Sequence, residues 1–180
     1  MTSRENLAEI ASWLRQHVPP VSHASFGPSY RASAYLSDGT FLPCVNFRNP
    51  KHTVDLAIRR FEQTQSDPKN YRSIVQSFTT AGNRLAEWDI TRVEKSRFAI
   101  PAPLRERLYL AGETSMSWTS FIGKMADGTE HSFGSAFHVE FFQMPGDYTA
   151  EQLTEVFPHR DGNGKCFREL PFFECALDGL

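Results

Sequence analysis

His138 and Glu140 stand two residues apart in one β-prone run, and Ser117 lies in the run that turns back onto it. Imidazole, carboxylate and hydroxyl are the parts of an acid-base or nucleophilic site, since the ring takes the hydroxyl proton and the carboxylate steadies the charged ring. Counting outward from the turn between the two runs sets Ser117 opposite His138 and Thr119 opposite Ala136. The small residues Gly123, Ser132, Gly134 and Ala136 fall on that same face. Such a strip is either a shallow floor for a ligand or an ordinary solvated sheet face with Phe121 covering Gly134.

Other chemistry finds less footing. His131 and His138 are separated by an odd number of positions, so in one strand they point to opposite faces. With no HExxH, no paired CxxC and no three-ligand group, no metal is expected. Asp161 and Asn163 open like a calcium loop, but Lys165 and Phe172 stand where that loop needs ligands, and the segment reads as a turn. No phosphate-cradling glycine motif and no GxSxG is present, so no cofactor is expected either. Cys44 sits beside Pro43 with no base that the sequence places near it, which favours a structural thiol. With Cys166 and Cys175 it makes an odd set of three, as suits a reducing compartment, and the expected location is cytoplasmic. The segment from Met1 to Leu14 has charges where a signal peptide is apolar, and no run is long enough to span a membrane.

Charge is spread unevenly. The net value is −2, yet residues 1–110 hold 15 Lys+Arg against 10 Asp+Glu and residues 111–180 hold 4 against 11. The acidic part includes Glu113, Asp127, Glu130, Asp147, Glu151 and Glu155, which would meet a basic surface if the asymmetry survives folding. The basic part is arginine-rich, and Arg31 and Arg48 share a hairpin face with Tyr35 in a pattern able to stack bases or grip phosphates. A pI of about 6.3 and the lack of a dense basic stripe weigh against nucleic acid.

The elements that would position these residues follow from spacing. Leu7, Ile10, Ala11 and Leu14 form the stripe of a helix over residues 3–18, with Thr2 and Glu5 spaced as a capping box, and Pro19-Pro20 stops it. Two runs flank Asp38-Gly39-Thr40, and two more flank Asp127-Gly128-Thr129; Asp-Gly predicts a type I′ turn and hence a hairpin at each. In the first, this register pairs Leu36 with Phe41, Ala34 with Pro43, Ala32 with Val45 and Tyr30 with Phe47 as the core face, with an edge or bulge at Pro43. In the second it puts Met116, Trp118, Ile122, Phe133, Phe137 and Val139 in the core.

Asn49-Pro50 and Asp67-Pro68 each start a helix, with stripes Val54, Ala57, Ile58, Phe61 and Tyr71, Ile74, Val75, Phe78, the latter closed by Gly82. Residues 85–93 alternate as a strand, 104–110 suit a short helix, Thr149 and Gln152 cap another before Leu153, and 166–177 supply a last strand. The whole is expected to be one α+β domain, residues 1–180, with a mainly antiparallel sheet from two Asp-Gly hairpins and helices mostly on one face. The preferred role is a soluble protein-binding module, of the inhibitor or immunity type, that neutralises an enzyme through its acidic C-terminal surface. The alternative is a small hydrolase-like enzyme using His138 with Glu140 or Ser117, and the third reading is nucleic-acid binding through the arginine-rich part.

Overall fold

Both Asp-Gly-Thr triplets close their loops in the same way, and that way fixes which side chains face inward. The computed structural model describes residues 2–23, 26–63, 83–159 and 165–180. At each triplet the glycine is left-handed, with φ 87° at Gly39 and 86° at Gly128, while neither aspartate has positive φ. The Gly39 amide donates to the Leu36 carbonyl at 3.0 Å and the Leu36 amide to the Thr40 carbonyl at 2.9 Å; Gly128, Met125 and Thr129 repeat this at 2.9 and 2.8 Å. The aspartate carboxylate accepts the threonine amide, at 2.9 Å for Asp38 and 3.0 Å for Asp127. These are three-residue loops, a tight turn followed by a glycine bulge, and not the expected type I′ turns.

The longer loop moves the register by one residue. In the first hairpin, β2 (Gly27–Leu36) and β3 (Phe41–Arg48), the pairs next to the loop are Tyr35 with Phe41 and Ala34 with Leu42. A bulge between Ala32 and Ala34 then restores the expected pairs Ala32 with Val45 and Tyr30 with Phe47. Across it the Ser33 hydroxyl donates to the Pro43 carbonyl at 2.9 Å. Leu42 therefore packs on the core in place of the exposed Phe41.

No bulge rescues the second hairpin, β6 (Thr119–Met125) and β7 (Glu130–Ser135), where Phe121 faces Phe133 and Thr119 faces Ser135. Phe121, Met125 and Phe133 are buried, and Ile122 looks to the other side. Because side chains alternate, the one-residue change exchanges the faces of β6 relative to the expectation. Met116 and Phe137, expected in the core, are among the most exposed side chains of the protein.

The chain divides into two compact units, Met1–Glu94 with Phe173–Leu180, and Lys95–Phe172. In the first, α1 (Arg4–His17) starts at Ser3, whose hydroxyl accepts the Asn6 amide at 3.2 Å. Thr2, expected in a capping box, instead donates to the Ile90 carbonyl at 2.7 Å. Ile10, Ala11 and Leu14 share a core with Tyr30, Ala32, Ala34, Val45 and Phe47, as the helical spacing predicts. The sheet runs β1 (Val21–His23), β2, β3, β10 (Phe173–Ala176), β4 (Arg84–Leu85), with β5 (Ile90–Lys95) on β2. β10 is parallel to both its neighbours while β1, β2 and β3 pair antiparallel, so the sheet is mixed.

In the same unit, α2 (Pro50–Gln63) begins at Asn49, whose side chain accepts the Lys51 amide at 2.8 Å. Its expected stripe is displaced: Thr53 and Leu56 are buried while Val54 and Ile58 are exposed, and the Ala57 and Phe61 side chains lie outside the described ones. The helix expected from Asp67-Pro68 through Gly82 lies outside the described residues, as do Asp161 and Asn163. Residues 85–93 form no continuous strand, because a 3₁₀ turn at Glu87–Asp89 interrupts them and leaves Trp88 exposed.

The second unit holds a separate four-stranded sheet, β8 (Leu153–Pro158), β6, β7, β9 (Phe167–Arg168). Its core is an aromatic cluster in which Phe121 and Phe133 stack at 5.1 Å and Phe142 meets both edge-on, at 5.2 and 5.8 Å. Burying each such ring contributes roughly 2–3 kcal/mol. The helix α3 (Ala102–Ala111) adds Leu104 and Leu108 to it. The Thr149 and Gln152 capping box does form, with the Thr149 amide donating to Gln152 Oε1 at 2.7 Å. It caps a single 3₁₀ turn and not a helix, since Leu153 and Val156 are drawn into the sheet as β8. The expected last strand divides between the units, β9 in one sheet and β10 in the other.

Candidate functional site

The second hairpin stops pairing at Thr119 and Ser135, and the residues just beyond make a cleft of about 300 Å³ in the second unit. One buried side chain shapes that end. The Ser135 hydroxyl accepts the amides of Phe137 at 3.1 Å and His138 at 2.9 Å and donates to the His138 carbonyl, so the chain turns out of the sheet here. The Glu169 carboxylate takes the Ala136 amide at 3.1 Å. Opposite, the segment before β6 closes on itself through Ser115 and Trp118, whose backbones bond both ways at 3.0 and 3.1 Å. Ser117 sits in that turn with φ 55°, the left-handed region that costs a non-glycine residue about 1 kcal/mol or more. Its amide donates to Glu113 Oε2 at 2.9 Å, which holds the turn in place.

His138, Glu140 and Ser117 all line this cleft, with Arg105, Tyr109, Glu113, Trp118 and Phe137 among the others. They are not joined as a strand register would join them, because Ser117 and His138 lie outside the paired part of the hairpin. His138 Nδ1 accepts the Glu140 amide at 3.4 Å, which leaves the ring proton on Nε2. Burial pushes the His138 pKa below its ordinary value, and the nearby carboxylates of Glu140 and Glu169 offset this only in part. The ring is therefore neutral near pH 7 and stacks edge-on against Phe172 at 4.8 Å. Glu140 is tied to Arg105, whose Nη2 and Nε reach its Oε1 at 2.6 and 3.0 Å. Arg105 is 7% exposed, and its guanidinium also lies over the Tyr109 ring at 4.8 Å. Neutral imidazole, paired carboxylate and hydroxyl thus share a wall without forming a relay.

The small residues do not form a floor. A Cβ on Gly134 would lie 2.3 Å from Trp118 Cζ2, whereas one on Gly123 would lie 2.6 Å from Leu153 in the core, on the opposite face. Gly134 is small because the indole lies on it, with Arg168 over the indole at 4.6 Å. Phe121 is in the core and covers nothing outside.

What spacing did not anticipate is the rim. Phe137 is 90% exposed and Tyr109 60%, both lining the cleft; Met116, at the turn with Ser117, is 94% exposed, and Leu110, next to Tyr109, 77%. Two large exposed rings lining one depression, with two more apolar side chains left in water next in the chain to its lining residues, are unusual, where singly scattered apolar residues are not. A polar break was the signal available: the hydroxyl of Ser135, two residues before Phe137, can end the alternation there.

The six acidic residues are dispersed along the second unit, and several are engaged within it. Asp127 accepts from the Tyr148 hydroxyl and from Thr129, bonds that pull its pKa from 3.8 down to about 2. Glu151 meets Lys95 at 2.9 Å, and Lys124 lies between Glu155, at 3.8 Å, and Glu130, its cross-strand neighbour. Asp147 is exposed, and only Glu113 lines the cleft, the length of β6 away from Asp127. Counted by unit, the charge asymmetry shrinks: residues 95–172 carry 8 Lys+Arg and 10 Asp+Glu, and the rest 11 and 11.

The arginine face of the first unit is also committed. Arg31 is buried, Arg48 meets Glu174 at 2.6 Å, and Tyr35 is covered by Arg92 at 3.9 Å. The thiols of Cys44 and Cys175 are buried and pushed up to about 12, which keeps them protonated. Among the described residues no helix is long and apolar enough to cross a membrane. Comparison with protein-family models, with curated proteins and with solved structures finds no match to this chain.

Proposed function

We propose that this protein is a protein-binding module whose contact surface is the apolar rim of the cleft in residues 95–172. The observation that carries the reading is the exposure of Phe137 and Tyr109 in the lining of one depression, with the exposed Met116 and Leu110 next in the chain to its lining residues Ser117 and Tyr109. Water-exposed aromatic and methionine side chains beside a cleft are the composition of a binding hot spot, where burial against a partner recovers the hydrophobic free energy. The inhibitor or immunity role is kept in narrower form: of the six acidic residues, Glu113 is the one at this surface, and a basic partner would meet it there.

A photo-crosslinking phenylalanine analogue placed at Phe137, at Met116 and, as a control, at the exposed Trp88 of the first unit tests this in cells of the native host. The same polypeptide should be captured from the first two positions and not from the third. Capture that is equal at all three, or absent from the first two, would overturn the reading.

The enzyme reading is second, favoured by the presence of His138, Glu140 and Ser117 in one cleft. For His138 to act as a base on Ser117, its Nδ1 must give up the Glu140 amide, either to take the hydroxyl proton itself or to carry the ring proton and free Nε2 for that task. Hydrolysis of a panel of activated esters should fall in a His138→Gln variant; equal rates in both proteins would remove it.

A further inference from the structure

The cleft combines aromatic walls with a carboxylate that is only half used. Glu113 is exposed, and its bond to the Ser117 amide engages Oε2, so Oε1 has no protein donor among the described residues. Of the charged side chains that line the cleft, Arg105 and Glu140 neutralise each other across 2.6 Å, and His138 is uncharged. Glu113 therefore sets the sign of the cleft. The rings of Tyr109, Trp118 and Phe137 line the same cleft, and this unit already places guanidinium groups over two of them. Arg105 and Arg168 take one face each of Tyr109 and Trp118, while Phe137 stands almost fully in water.

We infer that the cleft receives a lysine or arginine side chain of a partner polypeptide, its charge on Glu113 and its aliphatic stem against Phe137. A cation is favoured over an anion because the one charge not neutralised within the cleft is negative. A polypeptide is favoured over a free cation because the exposed Met116 and Leu110, next in the chain to the lining residues Ser117 and Tyr109, offer apolar side chains to residues flanking the cationic one. The inference rests on the proposed binding role and names the chemistry of its partner.

The test uses the full chain and four tripeptide amides, acetylated at the N-terminus, with leucine at both ends and arginine, lysine, norleucine or glutamate between. Binding is read from the chemical shifts of the Gly112, Ser117 and His138 amides. The arginine and lysine peptides should bind about tenfold more tightly than the norleucine peptide, with glutamate weakest. Glu113→Gln keeps an oxygen for the Ser117 amide and should erase that preference, while Glu113→Lys should reverse it toward glutamate. Phe137→Ser should weaken all four peptides.

Equal binding of arginine and norleucine peptides, or a preference unchanged in Glu113→Gln, would overturn the cationic partner and leave the binding role standing. Shifts that ignore Phe137→Ser, or no shifts with any peptide at millimolar concentration, would overturn the site itself.

Discussion

Gly134 lies so close under the Trp118 ring that its lack of a side chain is a packing requirement. In Gly134→Ala the indole must move off, taking the Arg168 stack with it, at a cost of about 1–3 kcal/mol. Urea denaturation would measure that loss, and a change under about 0.5 kcal/mol would mean that the ring swings aside freely. His138 carries a pH effect of defined sign. Its folded pKa lies below the ordinary 6.5, so the unfolded chain binds the proton first on acidification. Stability should therefore fall as pH drops from about 7.5 to about 5.5, and His138→Gln should flatten that fall in denaturation midpoints compared at the two pH values. The three candidate residues were found from their types and nearness in sequence, and they do line one cleft. Their mutual bonds were not legible, because those depend on where pairing ends, and Ser135 ends it by folding its hydroxyl back on the chain.

At the scale of elements, the Asp-Gly-Thr triplet marks both turns and misleads about their length. Asp-Gly suits a two-residue loop, but the following threonine amide is also satisfied by the aspartate carboxylate, which favours the three-residue form. Gly39→Ala and Gly128→Ala should each cost about 1–2 kcal/mol through the left-handed φ alone, as nothing crowds either position. A thermal melt of each variant checks this. The two hairpins show how one residue of loop length propagates. At Ser33 and Pro43 a bulge absorbs it, so the core residues Tyr30, Ala32, Val45 and Phe47 were legible from alternation. Along β6 nothing absorbs it, and Phe121 replaces Ile122 in the core. In α1 the stripe was legible although the cap is Ser3 and not the expected Thr2. In α2 the Asn49 cap held while the stripe turned toward Thr53 and Leu56, since the buried face is set by tertiary contacts that periodicity does not contain.

For the molecule as a whole, the two units have separate cores and separate sheets, and a chain composition with one aromatic-rich budget gave no sign of that division. The tail was legible as β-prone but not as two strands belonging to different sheets. A chain ending at Phe172 tests the division. It lacks β10 and the buried Cys175 and Leu177, so β3 and β4 lose their common neighbour. Hydrogen exchange should then show lost protection in β3 and β4 with protection kept in β6, β7 and β8; uniform loss would show one cooperative body.

The placement of β10 also orders events during synthesis. Domains completed in sequence order can fold from the N-terminus as the chain emerges. Here the ribosome finishes every residue of 95–172 before it makes the strand that fills the gap between β3 and β4. The unit begun first is thus completed last. Until residues 173–176 emerge, the newborn chain presents an open β3 edge, and that interval is when it is most exposed to mispairing with a neighbouring nascent chain.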